Sequence, residues 1–158
     1  MSVKGSCLCG GIRYEIDGAF GRVVNCHCSM CRKATGAAFR TRAAVPTAAL
    51  HWLAGEDLVS RYESSPGETR TFCRNCGSTL ATFFRDRPDE IGLPLGTLDD
   101  DPSVRPSAHV WVTSKAPWCE ITDALPRFSE GITTTSDGQP SNPPLQPTQA
   151  SLTLGRRS

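Results

Sequence analysis

A chain of 158 residues with 38% hydrophobic content supports one modest core rather than two independent ones. Its 17 basic residues nearly balance 16 acidic ones and no long run of one sign occurs, so the charge footprint of a nucleic-acid binder is missing. No stretch reaches the ~18 apolar residues of a membrane span, and the opening MSVKGSCLCGGIRYEI has no apolar signal core, so the chain reads as a cytoplasmic protein with no membrane partner.

In chain order, the first cysteine pair, Cys7 and Cys9, precedes an alternation of Ile12, Tyr14 and Ile16 with Arg13, Glu15 and Asp17, the pattern of a half-buried strand. A second strand, Val23 to Cys26, runs into NCHCSMCRK, where Cys26, Cys28 and Cys31 crowd within six positions. Ser29 is a candidate cap for a short helix over Cys31 to Thr35, and a further turn is expected at Pro46 to Ala49. Strands are expected at 38–45, 50–53, 58–62, 69–73, 79–84, 90–95 and 108–112, separated by turn signals such as Ser65-Pro66-Gly67-Glu68 and Asp86-Arg87-Pro88-Asp89. That rhythm predicts a mainly β, antiparallel domain with little helix. From Gly131 onward Pro, Ser and Thr dominate, a composition that cannot bury a core. The domain is therefore set at residues 1–130, with 131–158 as a flexible tail.

Eight cysteines in a chain without an export signal point to metal rather than to disulfides, which a reducing cytosol does not keep. FCRNCGSTL, residues 72–80, has the shape of a zinc knuckle: its turn aims Cys73 and Cys76 at one ion, and Gly77 permits the bend. A structural zinc needs two further ligands. Spacing nominates Cys28 and Cys31, as in a zinc ribbon, but strands Cys7 and Cys9. Ligand counting favours Cys7, Cys9, Cys73 and Cys76 as one closed site, leaving Cys26, Cys28 and Cys31 as a three-thiolate site with an open fourth position, the way catalytic zinc is held. An iron–sulfur centre at the three-cysteine cluster lacks a fourth cysteine.

GSCLCGGIRYEI, NCHCSMCRKATGAAF, RTFCRNCGSTL and HVWVTSKAPWCEITDALPRF, in that order, resemble the glutathione-dependent formaldehyde-activating enzymes, whose domain is shared with centromere protein V. The resemblance runs from about Val3 to Ser129. It implies a tent-like antiparallel β-fold built round zinc, with two zinc ions per chain: a structural one on Cys7, Cys9, Cys73 and Cys76, and a catalytic or exchangeable one on Cys26, Cys28 and Cys31. It also implies glutathione as cosubstrate and a carbon–sulfur lyase activity that forms or cleaves S-hydroxymethylglutathione.

The chemistry suits the ligands. Zinc on three thiolates is a weak Lewis acid for making hydroxide but a good partner for a fourth, soft sulfur. Nearby cations should offset the added charge, and Arg32 and Lys33 directly follow the last ligand while Arg40 and Arg42 lie on the next predicted strand; these can also meet glutathione's carboxylates. A non-catalytic carrier of glutathione or zinc is the alternative. His27 is expected at the surface or behind the ligands, His51 and His109 as packing or surface groups, Cys119 as a buried small hydrophobe, and Trp111 with Trp118 as core wall.

Overall fold

The computed structural model describes residues 2–135 and 139–146. It is mainly β, as expected. Strands β1 (Val3–Ser6), β2 (Arg13–Ile16) and β5 (Leu50–Ala54) form a three-stranded antiparallel sheet in the order β1-β2-β5. The larger sheet takes β3 (Val23–Cys26), β4 (Arg40–Pro46), β6 (Val59–Ser65), β7 (Glu68–Cys73), β8 (Thr79–Phe84), β9 (Glu90–Pro94) and β10 (Ala108–Val110) in the order β10-β3-β4-β9-β8-β7-β6. One departure from an all-antiparallel arrangement is β10, which runs parallel to β3 with Val110 opposite Cys26.

The two sheets close over a shared core. Ile12, Tyr14 and Ile16 meet Val23, Ala43, Val45, Leu80, Ala81, Ile91 and Leu93, while Arg13 stays exposed, so the alternation read in β2 is the alternation observed. All four positions of β3 are buried. Val23 joins the main core and Val24 a second, smaller cluster with Ala108, Val110 and Phe128, so this strand is covered on both faces and delivers Cys26 into a dry setting.

β1 was not evident in the sequence because its middle residue is a glycine. Gly5 pairs with Tyr14, and a Cβ there would fall 2.3 Å from the Tyr14 ring; the bare backbone is what lets the tyrosine lie flat across its neighbour. The Tyr14 hydroxyl shares a 2.8 Å hydrogen bond with Thr97 Oγ1, and burial pushes its pKa up to about 12. The unfolded phenol ionises near 10, so between pH 10 and 12 the folded state keeps a proton that the unfolded state loses. This contribution is complete below pH 10 and declines above it, by at most about 1.4 kcal/mol per pH unit. Urea unfolding of the wild type should therefore weaken across this window, and Tyr14→Phe should show a shallower fall.

The short helix α1 spans Ser29–Thr35, two residues longer at its start than the sequence suggested. Its cap is Cys28 rather than Ser29: the thiol accepts from Cys31 N at 3.3 Å. A cluster cysteine thus fills one of the orphan amides of its own helix. Gly36 closes it in the left-handed conformation, φ 67°, as helix ends favour.

Beyond β10 the chain folds back along it. His109 N donates to Pro126 O and Phe128 N to His109 O, each at 2.8 Å. The stretch expected as a flexible tail continues this arrangement over its described part: Thr134 bridges Pro140, Asn142 ties to Gly131 and Thr133, Leu145 N donates to Arg127 O, and Ile132 packs on the smaller cluster. Backbone hydrogen bonding needs no apolar periodicity, which is why composition did not signal it. Residues 136–138 and 147–158 of that expectation lie outside the described residues.

Candidate metal centres and the cavity beside them

The cysteines gather in two groups, each with all sulfurs within 4.8 Å of one another: Cys7, Cys9, Cys73 and Cys76, and Cys26, Cys28 and Cys31. Ligand counting is thereby favoured over the ribbon pairing, since Cys28 and Cys31 do not join Cys73 and Cys76. The first group ties the end of β1 to the end of β7. Cys7 Sγ accepts Ile12 N at 3.2 Å, and the C-x-x-C-G turn is closed by Gly77 N on Cys73 O at 2.8 Å with Gly77 at φ 76°, a conformation open to glycine at little cost. Four thiols at this spacing fit a closed tetrahedral zinc site, and three fit zinc with one position left for another donor.

The three-thiol group opens onto a cavity of about 130 Å³ lined by Met30, Phe84 and Trp111 and by three arginines, Arg40, Arg42 and Arg70. Arg40 sits opposite Cys26 in the β3–β4 register and is only 3% exposed. It donates to Thr82 Oγ1 at 2.8 Å, Gly92 O at 2.9 Å and Leu80 O at 3.3 Å, and its Nε has no partner among the described residues. Burial pushes its pKa down to about 10, so it remains a cation at neutral pH. Arg70, 7% exposed, donates from Nε to Ser64 and places Nη2 3.9 Å from both Cys31 Sγ and Glu68 Oε2.

Two buried guanidiniums, of which Arg70 meets one partly exposed carboxylate, Glu68, at 3.9 Å and Arg40 meets none among the described residues, require further negative charge nearby. The thiols supply it. Hydrogen bonds from Cys26 and Cys28, then the fields of Arg40 and Arg70, draw the Cys31 thiol far below its ordinary pKa, while the same sulfur contacts and burial raise Cys26. Arg32 and Lys33 do not line this cavity: Arg32 Nε donates to His27 O at 3.3 Å and Lys33 is exposed. Of the cations expected from the sequence, Arg40 and Arg42 on β4 do line it, and Arg70 on β7 joins them. Arg70 was missed, although a charged residue at a buried position of the run ETRTFC was its signal.

Of the two places expected for His27, burial excludes the surface and leaves a position behind the ligands: it is fully buried. Its Nε2 shares a 2.8 Å hydrogen bond with His109 Nδ1, and His109 Nε2 lies 3.0 Å from Asp123. Burial, with His109 next in effect, pushes His27 down to about 4. His51 is exposed and Cys119 half-buried. Neither Trp111 nor Trp118 is core: Trp118 is 72% exposed, and Trp111, at φ 58°, walls the cavity.

The model of the family described as glutathione-dependent formaldehyde-activating enzyme matches residues 2–114. The chain belongs to that family. A Halomonas elongata relative bearing the name "Putative glutathione-dependent formaldehyde-activating enzyme" is 31% identical over 132 residues, covering 77% of this chain and 82% of the relative. A Schizosaccharomyces pombe protein named as an uncharacterized lyase is 30% identical over 77 residues, 49% of this chain and 54% of its own length. A crystal structure of a Rhodobacter sphaeroides protein superposes with a TM-score of 0.53 at 28% identity, over 65% of this chain and 91% of that one. The family match spans both cysteine groups and reaches Ser114, past the cavity wall at Trp111.

Proposed function

We propose that the chain is a cytoplasmic carbon–sulfur lyase of the glutathione-dependent formaldehyde-activating type, forming or cleaving S-hydroxymethylglutathione, with a structural zinc on Cys7, Cys9, Cys73 and Cys76 and a reactive one on Cys26, Cys28 and Cys31. The observation that carries this reading is the contrast between the groups: four thiols make a closed set, whereas three open onto a cavity walled by arginines. When bound there, zinc supplies the charge that keeps an incoming thiol deprotonated near neutral pH.

The chain's own residues do the rest. Cys26, Cys28 and Cys31 define where the thiol sulfur lies. Arg40 and Arg70 stabilise the negative charge that gathers beside them, and Met30, Phe84 and Trp111 keep the cavity partly dry, which strengthens that attraction. In the forward direction the glutathione sulfur bonds to the formaldehyde carbon, the carbonyl π pair moves to oxygen, and oxygen takes a proton. The reverse direction breaks the same carbon–sulfur bond and returns the proton. Charge passes from sulfur to oxygen within reach of the arginines, so they serve both ends of the reaction.

Binding of glutathione should release about one proton per molecule near neutral pH, because a thiol of pKa ~8.5 becomes a thiolate. Calorimetry in buffers of different ionisation enthalpy reads this directly. S-Methylglutathione should bind at least about tenfold more weakly and release none. Equal affinities without proton release would place the peptide away from the cysteines. Turnover separates the enzyme from the carrier reading: an enzyme accelerates hemithioacetal formation at fixed reactant concentrations, and a carrier only lowers free glutathione.

A further inference from the structure

The three arginines of the cavity are not equivalent. Arg40 and Arg70 are buried and held by neighbouring oxygens, and the one carboxylate lining the cavity among the described residues, Glu68, faces Arg70 at 3.9 Å. Arg42 is half-buried, and its side chain has neither a hydrogen bond nor an ion pair among the described residues. It is nevertheless placed. Its guanidinium stands 5.9 Å over the Phe84 ring, and a Cβ at Gly92 would lie 3.4 Å from its Nη1, so it rests in the gap that the glycine leaves. Arg87 stands over the same ring at 4.1 Å, but it is engaged by Glu90 at 3.0 Å and does not line the cavity.

The β4 register gives these cations a scale. Arg40 is opposite Cys26, and Arg42 follows two residues on, opposite Val24. Residues two apart in a strand share a face with their Cα atoms about 7 Å apart, so both side chains leave β4 towards the same cavity and Arg42 enters it further along the strand from Cys26. In a peptide thiol, the distance from a cysteinyl sulfur to the carboxylate of the next residue is also roughly 7 Å when extended. The γ-glutamyl carboxylate of glutathione lies further along the molecule. Free thiols such as 2-mercaptoethanol have no carboxylate to offer.

We infer that Arg42 receives the carboxylate one peptide unit beyond the reacting sulfur, so that the thiol partner is recognised as a cysteinyl group followed by a free C-terminal residue. This rests on the reading that a thiol occupies the open position of the three-cysteine site. Arg42 acts as a specificity-determining residue: it reads the end of the molecule, while Arg40 and Arg70 attend the sulfur. The apolar stem of Phe84 and the half-buried setting make this contact stronger than a freely solvated one.

The test compares glutathione with the analogue amidated at its glycyl carboxylate and with the analogue amidated at its γ-glutamyl carboxylate, by calorimetry on the zinc-loaded protein. For the wild type, glycyl amidation should raise Kd about tenfold, as expected for loss of one charge-assisted hydrogen bond, and γ-glutamyl amidation should change it less. In Arg42→Met, glutathione and its glycyl amide should bind within about twofold of each other. Arg42→Lys should keep part of the preference, and Arg87→Met should keep all of it. Equal binding of acid and amide by the wild type overturns the assignment without recourse to any variant. So does a preference that survives Arg42→Met or vanishes in Arg87→Met. Proton release on binding separates the two levels: if it is present while amidation is without effect, Arg42 alone is wrongly assigned; if it is missing, the thiol reading itself fails.

Discussion

Cys73→Ser should yield a chain that no longer folds cooperatively, whereas Cys31→Ser should yield a folded domain that has lost thiol binding. The asymmetry follows from what each group joins. Cys73 is fully buried at the end of β7 and holds together the ends of β1 and β7, strands of different sheets. Binding energy at a structural zinc is folding energy, of order 10 kcal/mol or more, against a typical domain stability of about 5–15 kcal/mol. Weakening that site consumes most of the margin. Cys31 lies in α1, only five residues from Cys26, so its group closes a short loop whose entropy contributes little. The helix keeps its cap on Cys28, and the main core of Ile12, Tyr14, Ile16, Val45, Ile91 and Leu93 does not include it. Thermal unfolding with circular dichroism, set beside glutathione binding, reads both halves. The reverse order of stability would make the cavity site the one that holds the fold.

The second large effect is expected on metal removal. A fully loaded chain should carry two zinc ions, and a mild chelator should take one while the protein stays folded and the other only as it unfolds. Burial is not the reason, since Cys9 is exposed. The reason is ligand number: four sulfurs leave a chelator no free position to attack, and three leave one. Glutathione should also slow loss of the first ion by filling that position. Native mass measurement during chelation follows each ion against the charge-state pattern of the folded protein. A single ion released only on global unfolding would remove the metal from the cavity.

Local pattern carried much of this into the sequence. Alternation placed β2, turn residues separated the hairpins, and the C-x-x-C-G knuckle with its glycine marked one half of the closed group. What local pattern could not carry was partnership across the chain. Of the cations near Cys31 in sequence, Arg40 and Arg42 on the next strand line the cavity while Arg32 and Lys33 do not, because successive helical residues rotate about 100° away from the Cys31 face; Arg70 arrives from β7, a partnership no local pattern signals. His27, His109 and Asp123 looked like three unrelated residues because their contact exists only once β10 lies along β3. Paired with Trp118 in sequence, Trp111 reads as core wall. Its left-handed backbone, φ 58°, instead sets it at the mouth of the cavity.

The parallel seam between β3 and β10 also gives the two cysteine groups different birthdays during synthesis. A chain leaving the ribosome N-terminus first exposes all four thiols of the closed group once Cys76 has emerged, and the hairpins around them can pair locally. Cys26, Cys28 and Cys31 emerge earlier still, but the strand that covers them, Ala108–Val110, and the wall residue Trp111 are translated well afterwards. The four-thiol group can therefore be complete on a nascent chain, while the cavity beside the three-thiol group is finished only when its last wall arrives. A nascent chain that has not yet released residues 108–111 would present the three thiols with one side of their cavity still open to water.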